Sequence, residues 1–321
     1  MEKEFRKIQK LILKHKSFFL AGHVNPDGDT LGSMLALSSV LKRMGKKVYM
    51  FSNDPIPENL SFLPKVKTIK IGKIPKTVYD VMILLESSTP KRAGDLKNMH
   101  KKVKVLINID HHKTSQKFGD INIIDGTYAS TAGIIYRLFY SMKVKITKSE
   151  AICLYTGIVT DTGRFHYPAT NSRTHEVVAR LLQTGFNFSR INDLLFSTKS
   201  YRALKLLGKA LSSMELAFSD KAAFLRLTNN DFKETNASSE HAESVINHGM
   251  MIPGVKISVL FRQEANQVSI TFRSKGNFDV SALAKKLGGG GHKHAAGCKS
   301  NLSLDVIEKK VREEVSKNLK K

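Results

Sequence analysis

Apolar and polar positions alternate in two different ways along this chain, and the change falls near two thirds of its length. In the first part, short apolar runs of strand length are separated by segments of helical period. SFFLAGH (17–23), KKVYMFS (46–52), VYDVMILLE (78–86), KVKVLINID (102–110) and INIID (121–125) read as strands. LGSMLALSSVLKRMG (31–45), STAGIIYRLFYSMK (130–143), SEAICLYTGIVTDTG (149–163) and THEVVARLLQTG (174–185) read as helices. The opening MEKEFRKIQKLILKHK mixes charge into an apolar pattern and reads as an amphipathic helix, not a leader peptide. Strands that run continuously apolar and alternate with helices predict a mainly parallel sheet covered by helices.

After a helical connector the pattern changes. KAAFLRLT (221–228) reads as a strand, and ISVLFRQEANQVSITFRS (257–274) as a hairpin about a polar turn. DVSALAKKL (279–287) is a short helix, GGGGHKHAAG (288–297) fits either a flexible loop or a site where backbone N–H groups approach an anion with His292 or His294 as a further donor, and the segment from Ser303 onward is an amphipathic helix with a basic end. The expectation is an α/β protein of two lobes. A larger lobe over 1–190 holds the parallel sheet, 191–211 is a helical linker, and a smaller lobe with a mixed sheet spans 212–321. No internal repeat is visible.

Composition narrows the picture. The 321 residues suit two domains of ordinary size. The formal net charge of +24 favours anionic partners, although the lysines are spread along the chain, as they are when lysine serves solubility. Two distant cysteines, Cys153 and Cys298, exclude a disulfide framework or zinc ribbon. No apolar run approaches the roughly 20 residues of a membrane span. A cytoplasmic protein with no membrane partner is expected.

Candidate chemistry lies at the predicted strand ends, where open α/β sheets bind ligands. HVNPDGDTLGS (23–33) sets His23, Asp27 and Asp29 around Pro26 and Gly28, which suggest a tight turn before a helix starting at Asp29 or Thr30. That stretch alone fits a metal site and an Asp-capped turn equally well. NIDHHKT (108–114) puts Asp110, His111 and His112 at the end of an apolar strand, where packing does not explain them. Carboxylate and imidazole suit Mn²⁺, Zn²⁺ or Fe²⁺. Asp161 in TDTGRF and Glu86 at the end of its strand are weak signals singly. Together these residues exceed the needs of one ion and suit a two-metal centre, with Mn²⁺ favoured over structural zinc because no cysteine takes part.

On HVNPDGDTLGS, DHH, TDTGRF and GGGGHKHAAG, in that order and over nearly the whole length, the chain resembles the DHH phosphoesterase superfamily, of the DHH–DHHA1 two-domain type. That group includes nanoRNases with pAp phosphatase activity and stand-alone phosphodiesterases of cyclic di-AMP and pApA. The resemblance implies two Mn²⁺, with Mg²⁺ or Co²⁺ as substitutes, and in-line attack by a hydroxide lying between them. His23 and Asp27 would hold one ion, Asp29, His111 and Asp161 the other, and Glu86 both. Asp110 would orient the histidines, and His112 would face the scissile phosphate. In the second lobe, Gly289, Gly290, Gly291 and His292 match the substrate clasp, and Arg273 with Ser274 the phosphate grip. Arg92 is a further candidate for substrate contact. Among the aromatics Phe165, Tyr167, Phe272 and Phe278, packing is the expected role of each, with Tyr167 the first candidate for nucleotide contact. The chain departs from the common pattern at Glu86, usually Asp, at Ser115, often Asn, and near Gly133, often acidic; these bear on substrate positioning.

The expected activity is hydrolysis of pApA and short RNA to mononucleotides, with cyclic di-AMP as a further candidate substrate. The alternatives are pAp 3′-phosphatase as the main activity, or a nucleotide- or RNA-binding protein without catalysis. The expected partners are short RNA or a dinucleotide, with no stable DNA complex, and a homodimer is allowed.

Overall fold

A computed structural model of the chain describes residues 1–94, 96, 103–242 and 244–319. It divides into two compact units, Met1–Thr198 and Lys199–Lys321.

The first unit opens with α1 (Glu2–Lys14), which buries Phe5, Ile8 and Ile12. Then come β1 (Ser17–Gly22), α2 (Gly28–Arg43), β2 (Lys47–Ser52), the two-residue β3 (Lys70–Ile71), β4 (Tyr79–Leu85), β5 (Val103–Asp110) and β6 (Ile121–Ile124). The helices α3 (Thr131–Ser141), α4 (Lys148–Asp161), α5 (Ser172–Leu182) and α6 (Phe188–Asn192) follow. The six strands pair in the order β3-β2-β1-β4-β5-β6, every pair parallel. The strand order reverses between β1 and β4, which places the ligand crevice beyond their carboxyl ends. Buried Phe18, Leu20, Val81, Ile83, Ile107 and Ile109 form one core face with the inner sides of the helices. Phe19, Phe51, Tyr79, Met82 and Leu84 form the other.

Two features of the first motif differ from the expectation. Helix α2 starts at Gly28, because the Asp27 carboxylate caps it by accepting from the N–H groups of Asp29 and Thr30. The turn is made by Asn25 at φ +52°, not by Gly28. Gly28 serves contact: a Cβ there would overlap the Thr160 side chain on α4. Gly32 and Gly157 serve it too, since a methyl on Gly32 would overlap the Cys153 carbonyl and one on Gly157 would press on Ala132 and Asp29. The α2–α4 crossing is thus close at backbone level, and it draws the start of α2 toward the end of α4.

The second unit contains α7 (Tyr201–Ser212), β7 (Glu215–Ala217), β8 (Ala222–Leu227), α8 (Asn229–Thr235), β9 (Ile257–Glu264), β10 (Gln267–Ser274), α9 (Val280–Lys286), β11 (Gly290–His292), β12 (Ala295–Ser300) and α10 (Leu304–Leu319). The last two residues of the expected terminal helix, 320 and 321, lie outside the described residues. Its sheet runs β11-β12-β10-β9-β8-β7; β8–β9 is parallel and the other pairs antiparallel. The glycine run is not a free loop. Gly288, at φ +79°, closes α9, and Gly289 N–H bonds back to the Ala284 carbonyl. Gly290 and Gly291 enter β11, where Gly291 lies against the Ala295–Ala296 backbone at φ +146°. Of the four, Gly290 alone faces open space without a special backbone angle.

Candidate metal centre

Each candidate ligand is fixed by the element that carries it. His23 follows β1, and its Nδ1 lies 2.7 Å from its neighbour's carbonyl, Val24 O, an acceptor that fixes the ring with Nε2 turned to the carboxylates. That Nε2 lies 3.6 Å from Asp27 Oδ2 and 3.8 Å from Glu86 Oε2. Glu86 follows β4 and is fully buried, with φ +58°. A left-handed backbone costs a non-glycine residue roughly 1–2 kcal/mol, and such strain collects at functional sites. The conformation aims the carboxyl across the switch point, where Thr30 Oγ1 donates to Oε2 at 2.6 Å.

Asp29, in the first turn of α2, is wholly buried, and the N-terminus of α3 holds it. The N–H of Thr131 donates to Oδ2 at 2.6 Å and that of Ala132 to Oδ1 at 2.8 Å. Asp161 ends α4, 3.0 Å from His111 Nε2, and that nitrogen lies 3.8 Å from Glu86 Oε1. Asp110 ends β5. Its Oδ1 accepts from the backbone N–H of His112 at 3.0 Å and faces His112 Nδ1 at 2.8 Å. Among the described contacts Asp110 therefore orients His112 directly, and bonds no atom of His111.

The ligand atoms fall into overlapping groups, each within 4.8 Å: His23 with Asp27 and Glu86; Asp29 with Glu86, His111 and Asp161; and Glu86 with His111 and His112. Glu86 is common to all three. The electrostatics without an ion are strained. Burial, then the Asp27 charge, pushes Asp29 up to about 7. Burial and the charges of Asp29 and Asp27 push Asp161 up to about 9, and burial with the neighbouring carboxylates raises Glu86 well above its usual range. Burial and the neighbouring His112 bring His111 down to about 4, a neutral ring. Desolvation opposes charge on Asp27, but the His23 hydrogen bond and charge outweigh it and bring Asp27 to about 2. His111 Nε2 is buried with no hydrogen-bond partner in spite of the carboxylates around it. A neutral imidazole lone pair among carboxylates that repel one another fits divalent cations.

The other candidates are placed as follows. Arg92 is exposed in the turn Pro90–Ala93; its carbonyl accepts from Val24 N–H and its charge bears on His23. Tyr167 is 54% exposed, while Phe272 is core and Phe165 and Phe278 pack against core. In the second unit, Arg273 Nη1 donates to the Phe272 carbonyl, and Ser274 Oγ donates to that of Phe278 at 2.7 Å and lies 3.2 Å from His294 Nδ1. Gly290, Gly291 and His292 are exposed on β11, after Gly289. Sequence reasoning missed Thr30 as a partner of Glu86, and it missed the α3 amides that hold Asp29. The first looked like a helix start, and backbone donors have no side-chain signature.

An open parallel sheet with this carboxylate–imidazole cluster at its switch point, followed by a mixed-sheet domain, is the architecture of an α/β phosphoesterase. The chain belongs to the DHH family: the model of the DHH family N-terminal domain matches residues 17–158 and that of the DHHA1 domain residues 220–319. It is similar to the bifunctional oligoribonuclease and PAP phosphatase NrnA of Thermus thermophilus, 33% identical over 305 residues that cover 94% of this chain and 90% of the relative. The protein of the same description from Bacillus subtilis is 28% identical over 293 residues, 90% of each chain. Among solved structures, an exopolyphosphatase-related protein from Bacteroides fragilis aligns at TM-score 0.91 and 26% identity, covering 99% of this chain and 96% of that one.

Proposed function

We propose that this protein is a cytoplasmic phosphodiesterase and phosphatase that hydrolyses pApA and short oligoribonucleotides to mononucleotides, and acts on pAp, with two Mn²⁺ bound. The observation that carries this reading is Glu86, whose two oxygens face His23 on one side and His111 on the other, each at 3.8 Å. His23, Asp27 and Glu86 would hold one ion, and Asp29, Glu86, His111 and Asp161 the second. Bound there, the ions would supply Lewis acidity and a water of lowered pKa. The names of the Thermus and Bacillus relatives support the substrate class.

The chain's own residues do the rest. Thr30 fixes the Glu86 carboxyl, and the α3 N-terminus fixes Asp29 while leaving lone pairs on its oxygens. Asp110, facing His112 Nδ1, fixes that ring and leaves its Nε2 to pass a proton to a phosphoryl or leaving oxygen. Residues 1–190 are the proposed catalytic domain and 191–211 a linker. Residues 212–321 supply the phosphate grip through Arg273, Ser274, Gly289–Gly291 and His292; Arg92 adds charge beside His23.

The test is side-by-side turnover of pAp, pApA, a 5-mer RNA and cyclic di-AMP by Mn²⁺-loaded protein. The expected result is mononucleotide release from pApA and the 5-mer. No turnover of any of them with Mn²⁺, Mg²⁺ or Co²⁺ would sink the reading. Metal analysis separates it from binding without catalysis: two Mn²⁺ per chain, lost in Asp29→Ala or Asp161→Ala.

A further inference from the structure

Lysine outnumbers arginine 39 to 13 in this chain, yet no lysine occurs between Lys117 and Lys143 or between Lys148 and Lys199. Helices α3 and α5 lie in those two stretches, and between them a groove of about 480 Å³ opens on the first unit. Its side-chain cations are Arg137, Arg173 and Arg180, and its rings are Tyr128, Tyr136 and Tyr140. Arg137 is tied to Glu2 at 2.6 Å. Arg173 lies over Tyr128, 4.7 Å from its centroid, and Arg180 6.0 Å from that of Tyr140. Neither Arg173 nor Arg180 has an ion-pair partner among the described residues. They stand seven positions apart on one face of α5, two helical turns.

The groove begins at the catalytic edge. Asp125, one of its lining residues, donates its N–H to the carbonyl of Asp110. Tyr128, another, hydrogen-bonds the His111 ring through its backbone. From there the lining passes down α3 to Tyr140, a residue 54% exposed whose ring has Arg137 5.2 Å from its centroid.

We propose that this groove is a second binding site, for the part of a single-stranded oligoribonucleotide that extends beyond the nucleotides at the metal centre. Arg173 and Arg180 pair with successive backbone phosphates, which guanidinium grips in bidentate fashion and ammonium does not. Tyr140 and the planes of Arg137 and Arg180 take an unstacked base, as aromatic and guanidinium surfaces do in single-strand RNA sites. Asp125 and Glu176, on the same walls, are acceptors for ribose hydroxyls, which only RNA offers. This rests on the reading of the site as a phosphoesterase of short RNA and adds a length preference to it.

The test is fluorescence anisotropy of the full-length chain in EDTA with end-labelled 2-mer and 5-mer RNA of one sequence, across a salt series. Wild type should bind the 5-mer about tenfold or more tightly than the 2-mer, the scale of one or two charge-assisted hydrogen bonds. Arg173→Gln/Arg180→Gln should erase that difference and lower the 5-mer salt slope by about 1.4, since each of the two single-strand phosphates left without its cation removes roughly 0.7. Arg173→Lys/Arg180→Lys should restore the slope but only part of the affinity, and a thermal melt checks that each variant is folded. A wild type without length preference, or a Gln variant that keeps the preference and the slope, overturns the proposal. Because binding is read without turnover, failure of the phosphoesterase reading would appear in the pApA assay and not here.

Discussion

The centre depends on one residue in an unusual state. Glu86 is buried, left-handed in backbone and one methylene longer than the aspartate common in the family, and Thr30 is its hydrogen-bond donor within α2. The methyl of Thr30 also fills the space over Gly22. Thr30→Val keeps the shape and removes the donor, so Mn²⁺ affinity read by calorimetric titration should fall about tenfold or more, the usual cost of losing a ligand's outer partner. Thr30→Ser should restore most of it. Equal affinity in Thr30→Val and wild type would show that Thr30 only packs. At this scale the sequence was readable where ligand-type side chains gather. The DHH triplet stands out because charged groups at the end of an apolar strand need an explanation, whereas His23, Asp27 and Asp29 fit a capped turn equally well, and Glu86 and Asp161 are weak singly and gain meaning only as members of the set. Thr30 and the Thr131 and Ala132 amides did not stand out, because hydrogen bonds across distant segments leave no local pattern.

The elements show what brings those residues together. Helices α2 and α4 meet through Gly28, Gly32 and Gly157, so the Asp29 and Asp161 carboxylates are set by a backbone-to-backbone contact. Gly32→Ala places a methyl against the Cys153 carbonyl, which cannot swing away. Overpacking of this kind costs about 1–3 kcal/mol. The variant should therefore unfold at lower temperature, and by spreading the two helices it should lose Mn²⁺ affinity as well. Loss of stability with unchanged affinity would mean that the crossing does not govern the centre. The long strands were legible because both sides of a parallel sheet are covered and their runs are continuously apolar. The short β3 and β7 were not, having two and three residues. Glycine punctuation misled in two places: Gly28 reads as a turn but serves helix contact, and the run from Gly288 reads as a loop but closes a helix and enters a strand.

Across the whole molecule, the two units have separate cores and, among the described residues, only the first carries the acidic cluster. Without metal, Asp29 and Asp161 have folded pKa values of about 7 and about 9, above the 3.8 of an exposed aspartate. Between the exposed and the folded values the folded state binds more protons than the unfolded chain, so these groups make stability fall as pH rises. Calorimetry in EDTA should show one of two unfolding transitions moving down between about pH 5 and 8. Mn²⁺ should raise that transition, more at the upper end of that range than at the lower, with the gain growing with free metal. The other transition should stay in place. A metal-free first unit that grows more stable as pH rises through that range would contradict the assignment of strained carboxylates.

The position of the centre also has a consequence in time. His23 and Glu86 directly follow strands that neighbour each other in space but are separated in sequence by all of α2, β2 and β3. Asp161 comes later still, from the end of α4. No short piece of the chain holds a complete candidate ligand group; the full set is assembled only once β1 and β4 have paired and α4 has docked. Non-local parallel pairing is a slow event in folding. A divalent ion held by these side chains would therefore mark the end of folding in the first unit and would not template its beginning.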